Sequence, residues 1–391
     1  MTRRSLPFVL LFAAAALGSA FARADVSDPA PLTVHEWGTF TSIADADGRA
    51  VEWRPLSGPQ DLPCFVDRIR YTNKGLLAGT IRMETPVLYF YAPQPATVDV
   101  RVRFRQGLIT EWYPRAEVDP SAIEPAAFNK PGLDNRIAWK SVQLSPGSKG
   151  EFPNERGASH YYAARATDAT PLSVGADREK FLFYRGIGRF APPLMATIGA
   201  DDTVAIRSQW GAIGDVIVFE NRAGAVRFGV SRAPGKRVSI AASELRNADL
   251  AALRRAMESI LVEQGLFAKE AAAMLETWRD SWFEEGTRVF YIAPKVAVDA
   301  ILPLEITPAP AALARVFVGR LELVTPRTIE VIRQALLEGD HATLEKLGRF
   351  FEPVVARVIA SSPAAEQTVL ENRRRAFTMW YYSRPLPGTC S

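Results

Sequence analysis

Thr97-Val98-Asp99-Val100-Arg101-Val102-Arg103-Phe104-Arg105 alternates without a break. Val98, Val100, Val102 and Phe104 fall on one side of an extended chain, and Asp99, Arg101, Arg103 and Arg105 on the other. Successive side chains of a strand point to opposite faces, so the stretch predicts a strand buried on one face and wet on the other, as in an antiparallel sheet. Outward from it, Thr85–Tyr91 is apolar and aromatic on both parities, which suits a strand covered on both faces. Lys180–Tyr184, Thr203–Arg207, Val216–Glu220 and Ala225–Val230 are further short runs between Gly, Asn and Asp turn residues. Strands at this spacing from Pro31 to Ile240 predict one or two sandwich-like units. Glu117–Gly157, rich in Pro, Gly, Asn and Lys, is expected to be a long loop around one strand, Arg136–Leu144.

The period changes after Ser243. Leu250, Leu253, Met257, Ile260 and Leu261 mark a helix closed at Gly265. Phe267, Ala271, Met274, Leu275, Trp278 and Trp282 mark a second, ending before Gly286, and the short link makes an αα-hairpin. Arg288–Ile292, Leu302–Thr307 and Arg315–Val324 return to strand. Thr325-Pro326 supplies an N-cap and a first-turn proline for a helix stopping near Gly339. Further helix is expected over Ala342–Ile359, interrupted between Gly348 and Pro353, and over Ala364–Tyr382. The expected class is α+β: a β-rich region over 25–240, then an α+β region over 241–391.

The charge has a location. The chain has 391 residues, with 47 Lys and Arg against 43 Asp and Glu, and a pI near 9.0. Three of the basic residues, Arg3, Arg4 and Arg23, lie in a segment without acids, Met1–Ala24, which leaves 44 against 43 beyond it. That segment has a positive start, an apolar run from Leu6 to Leu17 and small residues at Ala22 and Ala24. It reads as a signal peptide cleaved after Ala24, or after Ala22. The expected destination is therefore exported, periplasmic or secreted, with no transmembrane anchor after cleavage. Arg3-Arg4 fits either a twin-arginine or a general secretory signal. A near-neutral mature chain argues against nucleic acid as a partner. In an oxidising compartment the only two cysteines, Cys64 and Cys390, are expected to form one disulfide.

Three segments carry a resemblance: Val34-His35-Glu36-Trp37-Gly38-Thr39-Phe40-Thr41, Arg82-Met83-Glu84-Thr85-Pro86-Val87-Leu88-Tyr89-Phe90-Tyr91, and Glu276-Thr277-Trp278-Arg279-Asp280-Ser281-Trp282-Phe283-Glu284-Glu285-Gly286. They resemble an uncharacterised group of exported bacterial proteins over most of the mature chain. The resemblance implies export from a bacterial cell, and no activity, cofactor or catalytic residue.

Complete catalytic motifs are missing. Gly186-Ile187-Gly188-Arg189-Phe190-Ala191 imitates a dinucleotide loop, but Pro192-Pro193 obstructs the helix whose N-terminus would meet the pyrophosphate. Gly157-Ala158-Ser159-His160 is a fragment of a serine-hydrolase pattern. His35-Glu36 begins the zinc motif H-E-x-x-H, but Thr39 stands where the second histidine belongs. On a strand His35 and Glu36 face opposite ways. Both remain candidates for acid/base work, as does Glu84 at the mouth of an apolar strand, where a plain ion pair with Arg82 competes. Glu276, Asp280 and Glu284 fall at i, i+4 and i+8 of the expected second helix. Like charges so placed repel, and either arginines or a divalent cation would relieve them.

Two functions follow. One is a binding or envelope-associated protein using its sandwich surface, with a cell-envelope glycan, a polypeptide or another exported subunit as partner. The other is an extracytoplasmic hydrolase of a glycan or ester, with His35, Glu36, Glu84, Asp280 or Glu284 supplying acid/base chemistry and no cofactor beyond a possible divalent ion.

Overall fold

The computed structural model describes residues 31–56, 62–70, 77–123, 128, 132–155, 159–232 and 235–383. The expected signal peptide, Met1–Ala24, and Cys390 lie outside the described residues. The class is α+β, built on three open sheets.

The largest sheet has ten strands, in the order β16 (Arg246–Ala248), β14 (Ala225–Ser231), β13 (Val216–Arg222), β17 (Gly286–Ile292), β19 (Ala312–Leu323), β1 (Thr33–Ala44), β3 (Ile81–Tyr91), β10 (Leu182–Gly188), β5 (Gly107–Tyr113) and β2 (Asp67–Arg68). A second sheet runs β18 (Leu304–Thr307), β4 (Ala96–Arg105), β7 (Asp134–Leu144), β8 (Leu172–Val174) and β9 (Asp177–Glu179), with β6 (Glu117–Asp119) beside β7. The third is β11 (Leu194–Ile198), β12 (Val204–Ser208) and β15 (Arg237–Ile240). Within the ten strands, β1 and β19 pair in parallel, from Thr33 opposite Ala312 to Ala44 opposite Leu323. Parallel neighbours need a long crossover, and here nearly the whole chain lies between them. The change of period near residue 240 is therefore no break in the sheet: β17 and β19, from the later region, sit between β13 and β1.

The alternation in β4 does what its pattern dictates. Val98, Val100, Val102 and Phe104 share one core with Val34, Phe40 and Leu88 of the large sheet, while Arg101, Arg103 and Arg105 stay exposed. The other face of the large sheet is covered by the hairpin α1 (Leu250–Glu263) and α2 (Ala268–Thr277), packed on Trp37, Tyr89 and Phe290. α3 (Lys295–Ile301) leads into β18. α4 (Pro326–Glu338), α5 (His341–Glu345), α6 (Phe351–Ser361) and α7 (Ala364–Tyr382) complete the helices. They gather a third core around Ile43 and Val324, at one end of β1 and β19. Thr325 caps α4 by accepting from the Thr328 N–H, Pro326 opens it, and Gly339 closes it in the left-handed conformation at φ 72°.

The extent of the second helix needs correction. α2 ends at Thr277, not near Gly286. At Trp278 the backbone leaves helical geometry (φ −108°, ψ 10°), and Ser281 N–H returns to Trp278 O in a turn. Consequently Glu276, Asp280 and Glu284 do not share a helix face. The segment before β18 contains α3, whose Ala297, Val298 and Ile301 are buried at a spacing that short windows do not separate from a strand. The strand expected inside 117–157 is present as the eleven-residue β7, and the short β6 adds to it. Gly186 and Gly188 lie in β10, so no helix follows the Gly-x-Gly; a Cβ on Gly186 would stand 2.1 Å from Leu108 O. Among the described residues no helix is long and apolar enough to cross a membrane.

Candidate functional site

The register of β1 explains the first two candidates. His35 faces the helical hairpin: its Nδ1 lies 2.7 Å from Glu270 Oε2, and its ring packs on Phe267 at 4.5 Å. Glu270 also accepts from Tyr91 Oη at 2.8 Å and from the Phe267 N–H at 2.7 Å, so it pins the start of α2. Glu36 points the opposite way and is fully buried. It stands opposite Arg315 in the parallel ladder and accepts from Arg315 Nε at 2.6 Å and from Tyr184 Oη at 2.5 Å. Burial, then the Glu36 charge, pushes the Tyr184 hydroxyl well above its ordinary pKa. Arg315 continues to Asp299 at 2.8 Å.

Glu84 sits on β3, 1% exposed. Arg349 Nη1 lies 2.8 Å from its Oε1, Arg82 Nε lies 3.2 Å away, and Thr41 Oγ1 donates to Oε2 at 2.9 Å. Burial alone would raise its pKa; Arg349, Arg82 and Arg320, with the Thr41 hydrogen bond, outweigh burial and hold it below the ordinary value. Asp280 is a surface residue 3.1 Å from His160 Nε2. Glu276 accepts from Arg254 at 3.0 Å and from Arg279. Glu284 accepts from Arg320 Nη2 at 2.9 Å. Among the described residues no group of three His, Cys, Asp or Glu side chains could hold a metal ion.

Two of these residues belong to one larger arrangement. Leu321 and Leu323 turn to the inter-sheet core, so Arg320 and Glu322 turn to the helical face of the sheet. Arg288 stands opposite Glu322 on the neighbouring strand and donates to both its oxygens, at 3.0 and 3.1 Å. Arg288 also donates to the carbonyls of Trp282, Glu284 and Glu285, which anchors the turn that carries Glu284. Arg320, with no exposed surface, donates from Nη2 to Glu284 and to Glu322 at 3.2 Å. Its guanidinium and that of Arg349 both lie over the Phe350 ring, at 4.8 and 5.3 Å. On β13, Glu220 binds Arg222 and Arg227. A row of buried ion pairs thus crosses one end of the sheet, where α4–α6 pack.

A cleft of about 320 Å³ opens on this row. Its polar wall carries Arg222, Glu284, Glu285 and Glu322; the facing wall carries Val324, Val331, Ile332, Leu347, Phe350 and Val354. Arg327 and Lys346 also line it. Lys346 reaches Glu285 at 3.5 Å, whereas the exposed Arg327 has no partner among the described residues. A wider, open groove of about 700 Å³ lies between Trp53 and α6–α7. Its Arg374 is spent on Glu352 and Glu371, and none of the candidate residues reaches it, so the smaller cleft is the better site.

Glu84 and Glu284 were legible in the sequence as site residues; Glu270, Arg315, Arg320, Glu322 and Arg349 were not. One signal was available. Arg315-Val316-Phe317-Val318-Gly319-Arg320-Leu321-Glu322-Leu323 places charges inside an apolar strand, and buried charges are kept only with partners. Comparison with protein-family models and with curated proteins finds no match to the chain.

Proposed function

We propose that the chain is an exported bacterial protein that binds a small component of the cell envelope in the sheet–helix cleft. The observation that carries this reading is the division of labour in that cleft. Its acids are tied to arginines or to Lys346, and its facing wall is apolar and open to a ligand. On this reading the binding site lies at the end of the large sheet and not on the outer surface of the sandwich. Export rests on the signal-like first 24 residues. A glycan would find a single ring, Phe350, in the cleft.

The hydrolase alternative has one point in its favour, since Glu284 and Glu322 share the cleft and the Arg320 Nη2 atom. Yet both Glu322 oxygens accept from Arg288, and a general acid needs a free oxygen directed at the leaving group. Glu36, Glu84 and Asp280 sit in separate ion pairs.

Titration with Nile red, a neutral polarity-sensitive dye, tests the cleft. The wild-type chain should give saturable fluorescence with one site, and Val331→Asp should abolish it. Equal binding by wild type and Val331→Asp would remove the cleft from consideration. Val331 is 47% exposed, so the substitution leaves the core intact.

A further inference from the structure

We propose that the ligand of the cleft is an anionic amphiphile: a short aliphatic chain ending in a carboxylate or phosphate. This rests on the cleft reading above and adds the chemical class. The apolar half selects the chain. Val324, Val331, Ile332, Leu347 and Val354 are aliphatic, and Val331 is left 47% exposed on a helix that otherwise has a packed face beside it. Each buried methylene is worth roughly 0.8 kcal/mol, so a short chain gains several kcal/mol in such a wall. The volume, about 320 Å³, sits at the lower end of the roughly 300–1,000 Å³ typical of small-molecule sites and limits the chain to medium length.

The polar half selects the head, because cations outnumber acids once the groups behind the wall are counted with those that line it. Glu322 meets both Arg288 and Arg320, and Glu220 meets both Arg222 and Arg227. Glu284 and Glu285 are answered by Arg320 and Lys346. Arg327 has no acid partner among the described residues. Behind the wall, Glu84 is shared by Arg82 and Arg349, and the buried Nε and Nη1 of Arg320 lack hydrogen-bond partners among the described residues. Donors outlast acceptors, and the field at the cleft favours a negative group over a neutral or positive one. A carboxylate and a phosphate satisfy the same geometry, as both accept charge-assisted hydrogen bonds from Arg327 and Lys346.

Calorimetric titration of the full mature chain with octyl phosphate, octanoate, octan-1-ol and inorganic phosphate tests the class. An octyl anion should bind with one site and about tenfold or more tighter than octan-1-ol, the worth of one charge-assisted hydrogen bond. Inorganic phosphate alone should give no heat. Arg327→Gln should lose that preference and leave octan-1-ol binding unchanged, and Arg101→Gln, on the exposed face of β4, should behave as wild type. The order of octyl phosphate and octanoate tells a phosphate head from a carboxylate. Octan-1-ol binding as tightly as both anions, or an Arg327→Gln chain that keeps the preference, overturns the class. If Nile red still depends on Val331 in that case, the cleft survives as a binding site. If it does not, the functional reading falls as well.

Discussion

At the scale of the residue, the buried charges of this chain are structural anchors before they are anything else. Glu84 is the clearest. It accepts from Thr41 and faces Arg82, Arg349 and the field of Arg320, so removing its charge leaves guanidinium groups buried without an anion. Glu84→Gln should destabilise the fold by about 3–5 kcal/mol, the usual cost of breaking a buried pair. The pH dependence follows from the sign of its shift. The folded-state pKa lies below the ordinary 4.5, so this stabilisation is complete above about pH 4.5 and is lost as pH falls through the folded value. Urea midpoints measured from about pH 7 down to pH 3 should therefore fall more steeply for wild type than for Glu84→Gln. Parallel curves would show that Glu84 is not the acid-sensitive group. Glu84 and Glu284 were visible in the sequence as isolated acids. Arg82 was visible beside Glu84, but Arg320 and Arg349 were not, because they reach their acids across large separations and no spacing rule spans that.

At the scale of the element, local patterns were readable wherever one physical rule dominated. β4 follows its period of two, α4 follows its cap, first-turn proline and closing glycine, and α1–α2 form the expected hairpin. The misreadings arise where two rules compete. The apolar spacing from Phe267 to Trp282 is helical throughout, yet the chain turns at Trp278. There Arg288 gathers the carbonyls of Trp282, Glu284 and Glu285. Tertiary hydrogen bonds thus replace the last helical turns, and the supposed acidic face disappears with them. The Gly-x-Gly of β10 has an equally local cause. A methyl group at Gly186 would meet the Leu108 carbonyl of β5 at 2.1 Å, so Gly186→Ala should force those strands apart. The expected cost is about 1–3 kcal/mol, read as a lower Tm. An unchanged Tm would mean that the bulge between Arg185 and Gly186 can absorb the extra group.

At the scale of the whole molecule, the parallel pairing of β1 with β19 ties the first described strand to one near the end, and it builds the site. It brings Thr41 beside Arg320 and Ile43 beside Glu322, at the end of the sheet where the C-terminal helices pack. No local reading of the sequence contains that pairing, which is why the class was legible and the cleft was not. The N- and C-terminal parts are expected to be joined a second time, by Cys64–Cys390. No cysteine among the described residues is a free thiol. Intact-mass measurement after alkylation without reductant should show no added label on residues 25–391, and Cys64→Ala should cost about 2–4 kcal/mol. One label per cysteine would refute the bridge.

On the proposed reading the cleft between the sheet end and α4–α6 takes an amphiphile with a negative head. A crystal structure of residues 25–391 grown with octyl phosphate would show whether it does. The density should show an alkyl chain along Val331, Ile332 and Phe350, with the phosphate within hydrogen-bond distance of Arg327 or Lys346. An empty cleft beside a ligand bound in the open groove at Trp53, or a chain lying with its head turned away from Arg327 and Lys346, would contradict it.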